Sequence, residues 1–174
     1  MSDVLNRSTL ELLRSVNTPD YPEAQWVINP DLSPVAGVPK KYWKLVGDVL
    51  QPMSAVERAP IDASDLSLLK QAARQGIITD AQTTIDAAYS AMDIGVLSML
   101  LTQALKQSLA NRQAYIFQVM TWMRSVITYR NQSIIAVNAA ADAAALAALS
   151  FSFVPPNIAA DPQVTVAGAL AISN

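Results

Sequence analysis

The stretch KKYWKLVGDVLQPMSAVE, residues 40–57, decides the first part of the fold. Residues 42–46 alternate in character, and the pair Gly47 and Asp48 separates them from a second short apolar run. Glycine adopts a positive φ at little cost, so this pair suits the two-residue turn of a β-hairpin. Pro52 lacks a backbone N–H and is expected to end the second strand. The pattern predicts a small hairpin.

A helix start follows the hairpin directly. Ser54 and Glu57 have the spacing of a capping box, in which the serine accepts from the third backbone N–H and the glutamate accepts from the first. An isolated hairpin is only marginally stable in water, so we expect it to pack on another part of the protein. Residues 40–60 are therefore predicted to join two larger regions.

The composition points to extensive contact with other protein. Of 174 residues, 52% are apolar and 15% are charged, against roughly 25% charged in a typical soluble domain. A monomer with so few charges would have to cover its surface with Ser, Thr, Gln, Asn and Ala. A plain alanine-rich helical monomer is the alternative interpretation.

The chain contains neither histidine nor cysteine, and its net charge is −2. Zinc sites of the Cys/His kind, cysteine nucleophiles and Ser-His triads are excluded, and we expect no cofactor or metal. Lys and Arg are scattered, which gives no electrostatic footprint for nucleic acid. The acids at Asp62, Asp65, Asp80, Asp86 and Asp93 lie along helices, which favours a solvated face over a carboxylate enzyme. We predict that the protein is not an enzyme.

Neither a signal peptide nor a membrane span is expected. Charged residues interrupt the first 16 residues, so the apolar core of a signal peptide is missing there. The longest uncharged run, residues 143–160, is broken by Pro155 and Pro156. A membrane-spanning helix needs about 20 mainly apolar residues without such breaks.

Residues 1–39 are predicted to form a short helix followed by an extended docking arm. The helix would begin near Ser8, and residues 17–39 contain five prolines, which favour extended backbone. Tyr21, Trp26 and Ile28 lie in this arm, where exposed aromatics would be unusual. They are predicted to dock on a neighbouring protein; packing on the chain's own core is the alternative.

Residues 61–149 are predicted to be helical and to mediate oligomerisation. One helix would end near Gly76 and another begin at Thr79, with later breaks near Gly95 or Asn111 and near residues 130–131. Apolar residues recur at steps of three and four, which is typical of one helix face. The predicted oligomer interface consists of Ile85, Met92, Met99, Ile116, Met120, Met123 and Ile127.

Two further features accompany this helical region. The acids Asp80, Asp86 and Asp93 precede a segment whose charges are all basic, so they could pair with arginines of an antiparallel neighbour. The methionines indicate either an adaptable binding surface or, more simply, a Met-rich core. The alanine-rich residues 138–149 are predicted to make tight helix contacts between chains, or else to form a weakly packed surface helix.

Residues 150–174 are predicted to be a strand-like tail. Phe151 and Phe153 alternate with serines, and Val164 and Val166 repeat the spacing later. The only charged residues after Arg130 are Asp142 and Asp161. Such a segment would aggregate if uncovered, so β-pairing between subunits is expected to cover it.

The residues of the hairpin also carry a resemblance to a known class of protein. The matching positions are Tyr42, Trp43, Lys44, Leu45, Val46, Gly47, Asp48, Met53, Ser54 and Glu57. Together they resemble a segment of small virion proteins of tailed bacteriophages, in which such a hairpin leads into long alanine-rich helices. The match covers about 20 of the 174 residues. It departs at Gln51-Pro52, where an acid is expected, and at residues 58–60, where Pro60 is predicted to end the first helix early.

This resemblance implies assembly rather than catalysis. We expect a mainly α fold with an extended N-terminal arm, a small β-hairpin, long helices in an oligomeric bundle and a strand-like tail. The expected function is that of a structural protein of the virion, fibre-like or located at the neck or capsid surface. It would form a homo-oligomer, for which a trimer is one option, and dock on other virion proteins. A non-viral helical scaffold or adaptor that binds a protein partner is the alternative.

Overall fold

The computed structural model describes residues 2–172 and is mainly α, as predicted. Five strands come first: β1 (Ser2–Asn6), β2 (Leu12–Val16), β3 (Trp26–Ile28), β4 (Trp43–Val46) and β5 (Val49–Pro52). Five helices follow: α1 (Ala55–Ala88), α2 (Ala91–Lys106), α3 (Ala110–Ala139), α4 (Ala143–Ala147) and α5 (Val166–Ala171). Contacts divide the chain into a strand unit, residues 2–65, and a helical unit, residues 66–172.

The N-terminal region is a sheet, so the predicted short helix and extended arm are both wrong. β1 is the central strand and pairs antiparallel with β2 and with β3. The side chain of Asn6 accepts hydrogen bonds from the backbone N–H groups of Ser8 and Thr9, both at 2.9 Å. This asparagine turn reverses the chain exactly where the sequence suggested a helix start. The reversal brings β2 back along β1.

The predicted hairpin is confirmed. β4 and β5 pair antiparallel with Lys44 opposite Gln51 and Val46 opposite Val49. Gly47 has φ +62° and forms the two-residue turn with Asp48. The sheet and the hairpin share a small apolar core of Leu5, Val27, Val35 and Leu50.

The helix that begins after Ser54 is longer than predicted. α1 runs without interruption through Pro60 and Gly76 to Ala88. Pro60 lies near the helix start, where few helical hydrogen bonds precede it, and its ring is exposed. A mid-helix glycine costs about 1 kcal/mol relative to alanine, which burial of the adjacent Ile77 and of Ala81 offsets. The breaks predicted at these residues are therefore absent.

The actual breaks lie a few residues from the predicted ones. Ser90 and Asp93 form a capping box that begins α2, five residues before Gly95. The turn before α3 contains Ser108 with φ +56°, close to the break expected near Asn111. No break occurs at residues 130–131, because α3 continues to Ala139.

The C-terminal region contains no strand within residues 150–172, so the predicted strand-like tail is wrong. The alanine-rich residues 138–149 are also not one helix, since α3 ends and Asp142 caps the short α4. The tail packs on the helices of its own chain, where Ile158, Val164 and Ala169 enter the core. Of its alternating apolar residues, Val164 is buried, whereas Phe151, Phe153 and Val166 are half-buried, and none of them lies in a strand.

Candidate assembly surface

The capping box predicted after the hairpin is confirmed and also anchors β4. The Glu57 carboxylate accepts from the backbone N–H of Ser54 at 2.7 Å, and the Ser54 hydroxyl accepts from the Glu57 N–H at 3.4 Å. Lys44 donates to both carboxylate oxygens of Glu57 at 2.8 Å. Lys44, and then the bonds from Ser54, lower the pKa of Glu57 to about 2. A single side chain thus joins the hairpin to α1.

Two acids near the start of α1 make similar contacts. Asp62 accepts from the hydroxyl of Tyr42, and Asp65 forms an ion pair with Lys41. The hydrogen bond to Asp65 is the main reason why the pKa of Lys41 is raised. Both acids hold the segment before β4 against the helix.

The turn of the hairpin is held in the same way. Arg7 pairs with Asp48, which raises the pKa of Arg7 and lowers that of Asp48. Gly47 and Asp48 form the turn. Asp48 also contacts Arg7, which directly follows β1.

The predicted docking residues belong to the chain's own sheet. Trp26 and Ile28 lie in β3 and are half-buried. The ring of Tyr21 meets that of Trp26 edge-on, with 5.1 Å between centroids. The alternative, in which these residues pack on their own chain, matches the structure, and a role in docking stays a prediction.

The predicted interface residues separate into two groups. Ile85 and Ile116 are buried in the core of the helical unit, and Met123 packs against that core. Their assignment to an oligomer interface is wrong for the two isoleucines, because the chain itself covers them. The apolar residues do recur at helical steps, but at these positions they mark the side of each helix that faces the core of the same chain.

Other members of the predicted interface face outward. Met92 on α2 is 79% exposed and Met99 is 73% exposed. Ile127 on α3 is 37% exposed, and Met120 is half-buried. The predicted methionine-rich core therefore does not include Met92 and Met99. Met99 instead borders a shallow groove of about 400 Å³ with Thr102, Gln103, Lys106 and Gln107.

Tyr89 is the main polar group at the core of the helical unit. It is 4% exposed, and its ring contacts Trp122 with 5.5 Å between centroids. Its hydroxyl donates to Asp161 at 2.8 Å and accepts from the N–H of Val164 at 3.2 Å. Burial, and then the bond to Asp161, raise the pKa of Tyr89 to about 12. These bonds fasten the C-terminal segment to the end of α1.

A second groove, of about 330 Å³, lies between α3 and residues 156–159. Arg124, Thr128 and Tyr129 are among the α3 residues that border it. Ser125 in its wall is already satisfied, since it donates to the carbonyl of Trp122 and accepts from the N–H of Ala159. The open groove presents hydrogen-bond donors from α3 along the surface.

The charged side chains of the helical unit form hydrogen bonds rather than ion pairs where they have a partner. Within residues 66–172 no ion pair forms, although both signs of charge are present. Asp93 caps α2 and so does not share a helix with Asp80 and Asp86, contrary to the prediction; pairing of these acids with arginines of a neighbour stays a prediction. Asp86 accepts from Gln82 at 2.7 Å. Asp80 lies on the outer side of α1 and is exposed.

The sequence interpretation missed several residues of this surface. Phe117 is 46% exposed and Ile135 is 66% exposed, both on the outer side of α3. They are spaced at helical steps from Ile127, but the inner stripe of α3 is stronger and masked this second periodicity. A count of apolar residues on both sides of α3 would have revealed it.

Among residues 2–172, no group of three or more acids could hold a metal ion. No single helix in that range is long and apolar enough to cross a membrane; α1 and α2 meet the criterion only as a pair, bent by 68°. Comparison with protein-family models, curated proteins and solved structures gives no significant match. The function must therefore be argued from the chain's own surface.

Proposed function

We propose that this protein is a structural component of a tailed-phage virion that acts by forming homo-oligomers and docking on other virion proteins. The observation that carries the assembly part is the nearly full exposure of Met92 and Met99 on a helix whose opposite side is buried. Large exposed apolar residues in a chain with few charges favour a surface that another protein covers.

The virion part of the proposal rests on the resemblance of the hairpin. The residues that carry it, from Tyr42 to Glu57, fold into a hairpin joined to a long helix. This is the arrangement that the resemblance implies. The strand unit supplies its own core, which suits a module that is attached to the helical unit and carries a separate contact.

The mass of the purified full-length chain tests this proposal. Light scattering after size exclusion, at concentrations from 1 to 100 µM on the order of typical oligomer affinities, is expected to give an integral multiple of 18.7 kDa. A monomer throughout this range contradicts the proposal. Antibodies against the chain should also label purified particles of the phage that encodes it, and unlabelled particles would contradict the virion part.

A non-viral scaffold or adaptor is the second candidate, and the groove beside Met99 favours it. Methionine side chains adapt to varied partners, and the groove of about 400 Å³ combines Met99 with polar residues. Under this candidate the chain is a monomer that binds a partner helix, and Met99→Ala weakens binding. A stable oligomer with Met99 covered would exclude it.

A further inference from the structure

The outer side of α3 carries a second stripe of residues at steps of three and four. Phe117, Ile127 and Ile135 are its exposed apolar members, and Met120 is half-buried beside them. Arg124 lies in the middle of the stripe and is also exposed. Steps of this kind are typical of a helix seam that packs against another helix. We call these residues the α3 seam.

The charge of the α3 seam restricts what can cover it. α3 contains three arginines and no acid. Arg112 donates to the carbonyl of Ile172 at 2.8 Å, and Arg130 donates to its neighbour Asn131. Arg124 has no ion-pair partner among residues 2–172. Two copies of α3 packed in register would bring like charges together, which is unfavourable.

The outer side of α1 has the complementary properties. Asp80 is exposed and has no cationic partner within the described residues. Leu69 and Gly76 precede it at helical steps and are also exposed. A Cβ added to Gly76 would meet nothing within 4 Å. The chain's own packing therefore gives no reason for a glycine in the middle of α1, whereas close approach of another helix would.

We propose that the α3 seam of one copy packs against the Leu69–Asp80 side of α1 in a second copy, with Arg124 paired to Asp80. Bulky side chains on α3 then meet the open space at Gly76, and the arginine of the seam meets an acid that has no ion-pair partner among residues 2–172. This inference rests on the proposed function and specifies one contact of the oligomer, separate from the exposed Met92 and Met99 on α2.

The contact is heterologous, because it joins two different surfaces. Each copy keeps one free α1 side and one free α3 seam until a ring closes. A closed ring of three copies is one option, and a ring of another size uses the same contact. The interface contains apolar residues around a single ion pair. The affinity between copies should therefore fall as the salt concentration rises. The alignment of α3 along α1 should depend on the position of the two charges.

Charge exchange tests the contact directly. Arg124→Glu and Asp80→Arg each place like charges opposite one another, and each is expected to weaken the oligomer at least tenfold. The double variant restores an opposite pair in reversed order and should recover most of the wild-type mass. Both positions are exposed, so circular dichroism should show an unchanged fold in all three variants.

Two matched controls change the charge by the same amount elsewhere. Arg14→Glu alters an exposed position of β2, and Asp86→Arg alters α1 about 120° around the helix from Asp80. Both should retain the wild-type mass. Single variants at Arg124 and Asp80 that retain the oligomer, or a double variant that does not recover it, would overturn this contact while leaving the proposed function intact. A wild-type monomer would overturn both.

A second variant covers the case in which a charge exchange disturbs folding. Gly76→Leu adds bulk where the chain itself has open space, so the monomer should keep its helix content. The same side chain would block close approach of α3 and should shift the mass toward the monomer. An unchanged oligomer with Gly76→Leu would contradict the proposed contact independently of charge.

Discussion

The strand unit and the helical unit differ in whether their charged side chains form ion pairs. All ion pairs found within residues 2–172 lie in the strand unit, joining Arg7 to Asp48, Lys41 to Asp65 and Lys44 to Glu57. The helical unit contains the larger apolar core but no ion pair. Surface ion pairs contribute little to stability, though they orient the elements they join. Ion pairs therefore orient elements of the strand unit, whereas charged residues of the helical unit such as Asp80 and Arg124 have no ion-pair partner among residues 2–172.

The largest expected effect distinguishes inner from outer residues of the helical unit. Ile116→Asp places a charge at a fully buried position and should unfold this unit, since a buried unpaired charge costs several kcal/mol. Met99→Asp, at an exposed position, should leave the fold intact. Urea denaturation followed by circular dichroism measures both. Equal stability of the two variants would contradict the assignment of Ile116 to the core.

A core change in the strand unit should have a more local effect. Leu50→Ala removes a side chain that is 1% exposed and should lower the free energy of unfolding by about 2–5 kcal/mol. Amide hydrogen exchange should increase in β1 to β5 and remain unchanged in α2 and α3. Equal acceleration in α2 and α3 would show that the units unfold together and would weaken the comparison.

Tyr89→Phe tests the attachment of the C-terminal segment. It removes the bonds to Asp161 and Val164 and should destabilise the helical unit by about 1–3 kcal/mol at neutral pH. Because the folded pKa of Tyr89 is about 12, above its unfolded value of 10.0, its contribution is complete below pH 10 and is lost as the pH rises through 12. Thermal melts of both proteins at pH 8 and pH 11.5 measure this. The difference in melting temperature between the wild type and Tyr89→Phe should be smaller at pH 11.5 than at pH 8.

Two glycines should respond to alanine in opposite directions. Gly47 has φ +62°, so Gly47→Ala should destabilise the hairpin by about 1 kcal/mol. Gly76 has helical backbone and open space around it, so Gly76→Ala should stabilise the isolated chain by a similar amount. Thermal melts decide the sign. Destabilisation by Gly76→Ala would mean that the chain itself needs that glycine.

The smallest expected effect is the contribution of Glu57 to stability at acidic pH. The folded pKa of Glu57 is lowered to about 2 from a usual value of 4.5. Its stabilisation is therefore present above pH 4.5 and is lost as the pH falls toward 2. Glu57→Gln should remove this part of the acid dependence without changing the stability of the helical unit. Added salt should reduce the difference, since the Lys44 pair is partly exposed.

Local chemistry was readable from the sequence, and packing partners were not. The turn at Gly47, the cap at Ser54 and the start of α1 depend on neighbouring residues, and each was predicted, whereas the length of α1 was not. The N-terminal sheet depends on β1 pairing with a strand some twenty residues away, and the only local sign was the turn at Asn6. Helical spacing located Ile116 and Met99 on helices but could not tell which side of a helix another element covers.

The fastening of the C-terminal segment has a consequence for protein synthesis. Ile158, Val164 and Ala169 complete a core whose other members come from α1, α2 and α3. A ribosome releases those helices first, so their apolar sides stay exposed until residues 158–169 emerge. Chains cut or terminated before residue 158 would expose Trp122 and its neighbours and should aggregate or be degraded. The solubility of the helices that precede it therefore depends on the synthesis of residues 158–169.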